Sequence, residues 1–158
     1  MKADDTSIVA HAGRWQPQTP NFRAVIAACL ERQHFMKHIG CRLTVVEPGY
    51  VEASIEIGNE HLQHDGLVHG GVIATIADVV AGFASYTLVA EDQYTVTVDL
   101  MLSYLEAVRP GVIRACGRVI RHGRTISVVR TEIVATRDQG NDQLVAIAQA
   151  TFAIRFRS

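Results

Sequence analysis

GGVIATIADVVAGFASYTLVA, residues 70 to 90, holds one charged side chain, Asp78, in a run of otherwise apolar and small residues. The run is about as long as a membrane span. Against that reading stand the acid near its middle and the Glu91–Asp92 pair behind it, with no Lys or Arg flank. The reading that remains is a buried helix. Val72, Ile73, Ile76, Val79, Val80, Phe83, Ala84 and Leu88 point in several directions around its axis. A helix that is apolar all round has to be covered on nearly every side. A carboxylate inside it costs several kcal/mol, as an order of magnitude, unless it is paired or neutralised. Asp78 therefore either meets a structural partner or does chemistry.

On both sides of this stretch the period is two. Before it, Leu43 and Val45 alternate with Arg42 and Thr44, Pro48–Gly49 makes a turn, and Val51, Ala53, Ile55 and Ile57 alternate with polar neighbours. That is a hairpin with one wet and one dry face. After it come four strands. In the first, Val96, Val98, Leu100 and Leu102 form the apolar side; Arg109–Pro110–Gly111 and His122–Gly123–Arg124 mark turns; Asp138 to Asp142 is a loop; and Leu144 to Ile154 forms the last strand. Short connections favour antiparallel neighbours. Further out, Thr19–Pro20 reads as a helix start and Gly40 as its stop, around a stripe of Val25, Ile26, Cys29, Leu30, Phe35 and Met36. The fold class is α+β: one strongly curved antiparallel sheet wrapped around a long central helix. Residues 1–20 read as an irregular segment and 21–158 as a single domain. Part of the helix stays uncovered in one copy, which argues for a homodimer.

The bulk numbers narrow the function. A chain of 158 residues with 48% hydrophobic and 20% charged residues is one ordinary globular domain. A net charge of −1 with no basic block excludes the electrostatic footprint of a nucleic-acid binder. Met1 to Ser7 leads into no secretory pattern, and three cysteines, Cys29, Cys41 and Cys116, fit neither a disulfide framework nor a zinc site. A reducing cytoplasm and no membrane partner are the expectation. The seven His are scattered, so no metal site is expected.

Just ahead of Asp78, Gly66, Gly70 and Gly71 surround His69. Glycines let backbone approach a ligand closely. A helix N-terminus there offers unpaired N–H groups, the donors that a carbonyl oxygen needs as it gains negative charge during acyl transfer. His69–Gly70–Gly71, five further residues and Ala77–Asp78 on a buried helix resemble the PaaI-like (phenylacetate degradation) branch of hot-dog fold thioesterases. The resemblance runs from about Ile39 to Phe156. It takes in Gly66, the Tyr104 to Gly111 stretch, Gly123–Arg124–Thr125 and Ala148–Gln149–Ala150–Thr151–Phe152.

The resemblance implies hydrolysis of an acyl-coenzyme A, aromatic or medium-chain, to free acid and coenzyme A. Coenzyme A enters as part of the substrate, and no other cofactor is expected. Asp78 would be nucleophile or general base, and the Gly70 N–H the oxyanion donor. The two would come from different subunits of a homodimer, and pairing of dimers into a homotetramer is common among relatives. Thr97 falls where a hydroxyl helps position water; it is equally the polar-face member of a strand. Gln63 stands where relatives often carry Asn, six residues before His69. Gly123, Arg124 and Thr125 are the candidates for coenzyme A contacts, although a plain turn with a solvated Arg would look the same. Two other functions fit the pattern: an enoyl-CoA hydratase or dehydratase using His69 with Asp78, and a non-catalytic acyl-CoA sensor on the same fold.

Overall fold

A computed structural model of the chain describes residues 15–136 and 141–157. Two short helices, α1 (Phe22–Glu31) and α2 (His34–His38), lead into the hairpin β1 (Arg42–Glu47) and β2 (Tyr50–Glu56). A short 3₁₀ turn at Asn59–His61 and a polar loop precede the long helix α3 (Gly70–Tyr86). Four strands follow: β3 (Gln93–Tyr104), β4 (Val112–His122), β5 (Ile126–Thr136) and β6 (Asp142–Phe156). All pairings are antiparallel, in one six-stranded sheet of order β1-β2-β4-β5-β6-β3. Register shifts at Leu43/Val45, Thr97/Asp99, Val119/Arg121 and Ile133/Val134 are bulges, which bend strands and deepen the twist. They help curl the sheet around α3, giving the hot-dog architecture.

Close packing of helix on sheet needs small residues at the crossing. Val51, Ala53, Ile55, Ala115, Val129, Ile133 and Ala150 present a dry face to Ile73, Ile76, Ala77, Val80, Ala81 and Ala84 of α3, all within one core. At Gly117 the approach is closest: a Cβ there would lie 2.6 Å from the Val80 carbonyl oxygen. Each buried Val or Ile contributes about 1.5–3 kcal/mol, so this seam dominates the stability of the fold.

Three details depart from the sequence reading. The N-terminal helix is broken in two at Arg32–Gln33. Thr19 does not cap it: its hydroxyl donates to the Val89 carbonyl at 3.1 Å, and Asn21 holds the N-cap position. The neighbour rule holds for β1–β2, β4–β5 and β5–β6 but fails for β3, which crosses to the far edge beside β6. That crossing spans three strand spacings, about 14 Å, within reach of the Leu105 to Gly111 link. The link is pinned by buried Val108, whose carbonyl accepts from the Val68 N–H at 2.8 Å. Finally, β3 does not alternate strictly. Val96 and Val98 are 46% and 62% exposed, because the bulge at Thr97/Asp99 reverses the sides of the strand partway along. Thr95 and Thr97 face the helix before the bulge, and Leu100 and Leu102 pack on the core after it.

The irregular segment expected up to residue 20 lies outside the described residues as far as residue 14; residues 15–17 carry no helix or strand. The expected loop at Asp138 to Asp142 falls largely outside them too. No helix among the described residues is long and apolar enough to cross a membrane.

Candidate active site

α3 has one stripe that the sheet leaves half covered. Ala74, Asp78 and Gly82 recur every four residues along it, the spacing that stacks side chains on one face. With α1, α2, β3 and β6, this stripe borders an open-sided cavity of about 650 Å³ whose walls include Met36, Phe83, Leu100 and Phe152. Asp78 is half-buried in that wall. Burial pushes its carboxyl above the usual carboxylate range, and a hydrogen bond from Thr97 opposes the rise. The Thr97 hydroxyl donates to Asp78 Oδ1 at 2.9 Å, aimed there by the β3 bulge. Among the described residues no Lys, Arg or His makes an ion pair with Asp78. The structural partner allowed by the sequence is therefore a hydroxyl, and the charge is left uncompensated.

The other candidates gather at the start of α3. His69 is the N-cap residue, and its Nδ1 accepts from the Gly71 N–H at 2.8 Å, so that nitrogen is the unprotonated one. The Gly70 N–H makes no hydrogen bond among the described residues and is one of the orphan donors of the helix end. Gln63 stands beside it. A miniature hairpin, with Leu62 bridging Val68 and Gln63 N–H donating to the Leu67 carbonyl at 2.8 Å, folds the loop back. Gly66, at φ +70°, supplies the left-handed residue this reversal needs. Gln63, His69 and Gly70 line a second cavity, of about 550 Å³, with Tyr104.

The two groups are thus apart within one chain. Eight residues separate Gly70 from Asp78, roughly 12 Å of helix at 1.5 Å per residue. Gly123, Arg124 and Thr125 form the β4–β5 turn, closed by the Gly123 N–H to the Ile126 carbonyl at 2.8 Å, and line neither cavity. His64 and Asp65 pair on the surface at 3.3 Å.

Two supports were missed in the sequence. The Tyr104 hydroxyl donates to the Gly70 carbonyl at 2.9 Å and fixes the helix start; only the meeting of β3 with α3 reveals it. His61 is buried, its Nδ1 accepting from the Gly58 N–H and its Nε2 within 3.0 Å of the Ile39 carbonyl. Its own carbonyl accepts from the His69 N–H at 2.8 Å and so anchors the helix cap. Among the described residues no cluster of three or more His, Cys, Asp or Glu is placed to hold a metal ion.

A sheet wrapped on a helix that carries a lone acid and an open N-terminus defines a class, the hot-dog thioester hydrolases, and comparisons with known proteins agree. The model of the Thioesterase superfamily matches residues 65–140, from just before the His–Gly–Gly motif to four residues past the end of β5. A Saccharolobus solfataricus protein, provisionally named an esterase, is 32% identical over 97 residues, which cover 61% of this chain and 68% of that one. A thioesterase family protein from Silicibacter pomeroyi superposes with a TM-score of 0.83 at 25% identity, covering 85% of this chain and 98% of that one. The Escherichia coli PaaI protein, from the phenylacetic acid degradation operon, shares the fold with a TM-score of 0.76 at 18% identity, covering 89% and 98%. The chain belongs to the thioesterase superfamily and is a thioester hydrolase; its likeness to PaaI holds at the level of the fold.

Proposed function

We propose that the protein hydrolyses an acyl-coenzyme A whose acyl group is aromatic or of medium length. The observation that carries this reading is a half-buried carboxylate without a cation, lining a largely apolar cavity and held by one hydroxyl. Burial raises the basicity of such a group, which suits it to take a proton from water attacking a thioester carbonyl, or to attack that carbonyl itself. In either route the C–S bond breaks, coenzyme A leaves as thiol, and the acyl group departs as acid. Thr97 holds the carboxylate in line and helps position water.

The oxyanion donor is the Gly70 N–H of a second copy. Asp78 and Gly70 lie about 12 Å apart along one helix, whereas a tetrahedral intermediate needs both within about 3 Å. The exposed outer edge of β3, bearing Val96, Val98 and Met101, is the kind of apolar strand edge that a homodimer covers. In that assembly Gln63 reaches toward the thioester, His69 positions Gly70, and the Gly123–Arg124–Thr125 turn meets the coenzyme A phosphates. Pairing of dimers to a homotetramer and a cytoplasmic location complete the proposal. The hydratase alternative is disfavoured, because His69 Nδ1 is taken up in capping α3. A non-catalytic sensor would have no use for an uncompensated acid at this position.

The test is thiol release from a panel of benzoyl-, phenylacetyl-, octanoyl- and hexadecanoyl-coenzyme A, with enoyl-coenzyme A hydration followed alongside. Asp78→Asn, folded by circular dichroism, is expected to lose at least about 100-fold in turnover. A folded Asp78→Asn protein as active as wild type removes Asp78 from the mechanism.

A further inference from the structure

The cavity beside Asp78 has a definite far end. Tyr86 lies eight residues further along α3, roughly 12 Å by the helical rise, and contributes to the cavity wall. The same side chain also lines a small separate void bounded by Thr19, Phe22, Val25 and Val89. Tyr86 therefore borders both spaces. Two contacts hold its hydroxyl in place, and a third fixes one of the two partners. Arg157, from the end of the chain, donates to the Tyr86 hydroxyl. The Arg157 backbone N–H is itself fixed to the Asp92 carbonyl at 2.7 Å. Cys29 of α1 places its Sγ 3.9 Å from the same hydroxyl. Between Asp78 and Tyr86 the wall is cut back at Gly82, which has no side chain to fill the path.

Resting on the reading of this cavity as the acyl site, we infer that Tyr86 is the end stop that sets which acyl groups the enzyme accepts. Helical side chains lean toward the helix N-terminus, so the ring shortens the free path to less than the full 12 Å. An extended chain gains roughly 1.3 Å per bond, taking the 3.8 Å spanned by three backbone bonds as a guide. The space holds about eight bonds of alkyl chain, or one aromatic ring, and turns away long-chain acyl groups. Removing the ring adds its own volume to the cavity and opens the path toward Val89.

Hydrolysis of octanoyl- and hexadecanoyl-coenzyme A is compared in wild type, Tyr86→Phe, Tyr86→Leu and Tyr86→Ala. In parallel, binding of the same two compounds is measured calorimetrically with each Tyr86 variant combined with Asp78→Asn. The hexadecanoyl-to-octanoyl ratio of kcat/KM is expected to rise at least about tenfold in Tyr86→Ala, the scale on which pocket size discriminates substrates. It should also rise in Tyr86→Leu and rise least in Tyr86→Phe, which keeps the ring but gives up the Arg157 and Cys29 contacts of its hydroxyl. The binding ratio should follow the same order. Should Tyr86→Ala fold poorly, Tyr86→Leu decides. A wild-type length preference in both truncated variants, by turnover and by binding, overturns the end stop while leaving hydrolysis intact. Protein that turns over neither compound, yet binds octanoyl-coenzyme A better in a Tyr86-dependent way, overturns the hydrolase reading and supports the end stop. Binding of neither overturns both.

Discussion

Gly117→Ala tests whether the seam between α3 and β4 sets both stability and catalysis. A Cβ at Gly117 would meet the Val80 carbonyl oxygen at 2.6 Å and the Ala81 nitrogen at 3.0 Å. Both are backbone atoms, so no side chain can rotate away. Ordinary contact begins near 3.4 Å, so the helix must move by 3.4 − 2.6 = 0.8 Å. Overpacking of this kind costs about 1–3 kcal/mol, and the stiffer unfolded chain returns about 0.4–1 kcal/mol. For a chain of this size the net loss lowers Tm by a few degrees, at about 2–4 °C per kcal/mol. The effect on rate should be larger. Val80 is two residues from Asp78, and a helix displaced by most of an ångström no longer meets Thr97 of the sheet at 2.9 Å. Misplacement on that scale costs about 100-fold in turnover. Gly82→Ala is the matched contrast. Its Cβ would make only an ordinary 3.5 Å contact with the Phe152 ring, and within a helix Ala is favoured over Gly by about 1 kcal/mol, so Tm should hold or rise. Thermal unfolding of both variants and thiol release by Gly117→Ala check both halves. A Gly117→Ala protein that melts and turns over like wild type refutes the account of the seam.

Thr97→Val removes the hydrogen bond that favours ionised Asp78. The carboxyl then rises further, and the acid limb of the kcat/KM profile moves to higher pH. Hydrogen bonds to charged groups contribute about 1.5–3 kcal/mol, so about tenfold is lost below the limb, with convergence toward wild type well above it; an unmoved limb contradicts the assignment. Asp78→Asn is expected to melt higher than wild type at neutral pH. The native state holds the proton of Asp78 more tightly than the unfolded chain does, so ionisation above the ordinary value of 3.8 weighs on the fold. The gain, about 0.5–2 kcal/mol, should be full above the raised native value and should vanish below the unfolded one, as thermal melts across pH would record.

A period of two revealed the sheet, and an unbroken apolar run revealed the central helix, because burial leaves its mark residue by residue. Asp78 stood out for the same reason, as one charge in a run that tolerates none. The order of strands left no such mark. β3 carries the same alternation whether it lies beside β4 or beside β6, and only the Val108–Val68 bond and the curl of the sheet decide between them. The bulge at Thr97/Asp99 was hidden because Thr95, Thr97 and Asp99 look like one uninterrupted polar face. Tyr104 and His61 were illegible for another reason: each acts through a backbone carbonyl or N–H that only the folded chain brings near.

The bulge also explains how an apolar helix can hold an acid. Without it, strict alternation would turn Val96 and Val98 toward Asp78, and the carboxylate would be sealed among aliphatic groups with nothing to accept from. With it, the strand shows two threonines to the stripe of Ala74, Asp78 and Gly82, then returns Leu100 and Leu102 to the core. The apolar residues displaced outward, Val96 and Val98, become the exposed edge. One local irregularity therefore supplies the Asp78 hydrogen bond, keeps space beside the acid, and leaves an apolar strand edge exposed. On the proposal that the opposing N–H belongs to a second copy, polar substitution of Val96 and Val98 should lower both the oligomeric state, read by light scattering, and thiol release, and a monomer of undiminished turnover would refute it.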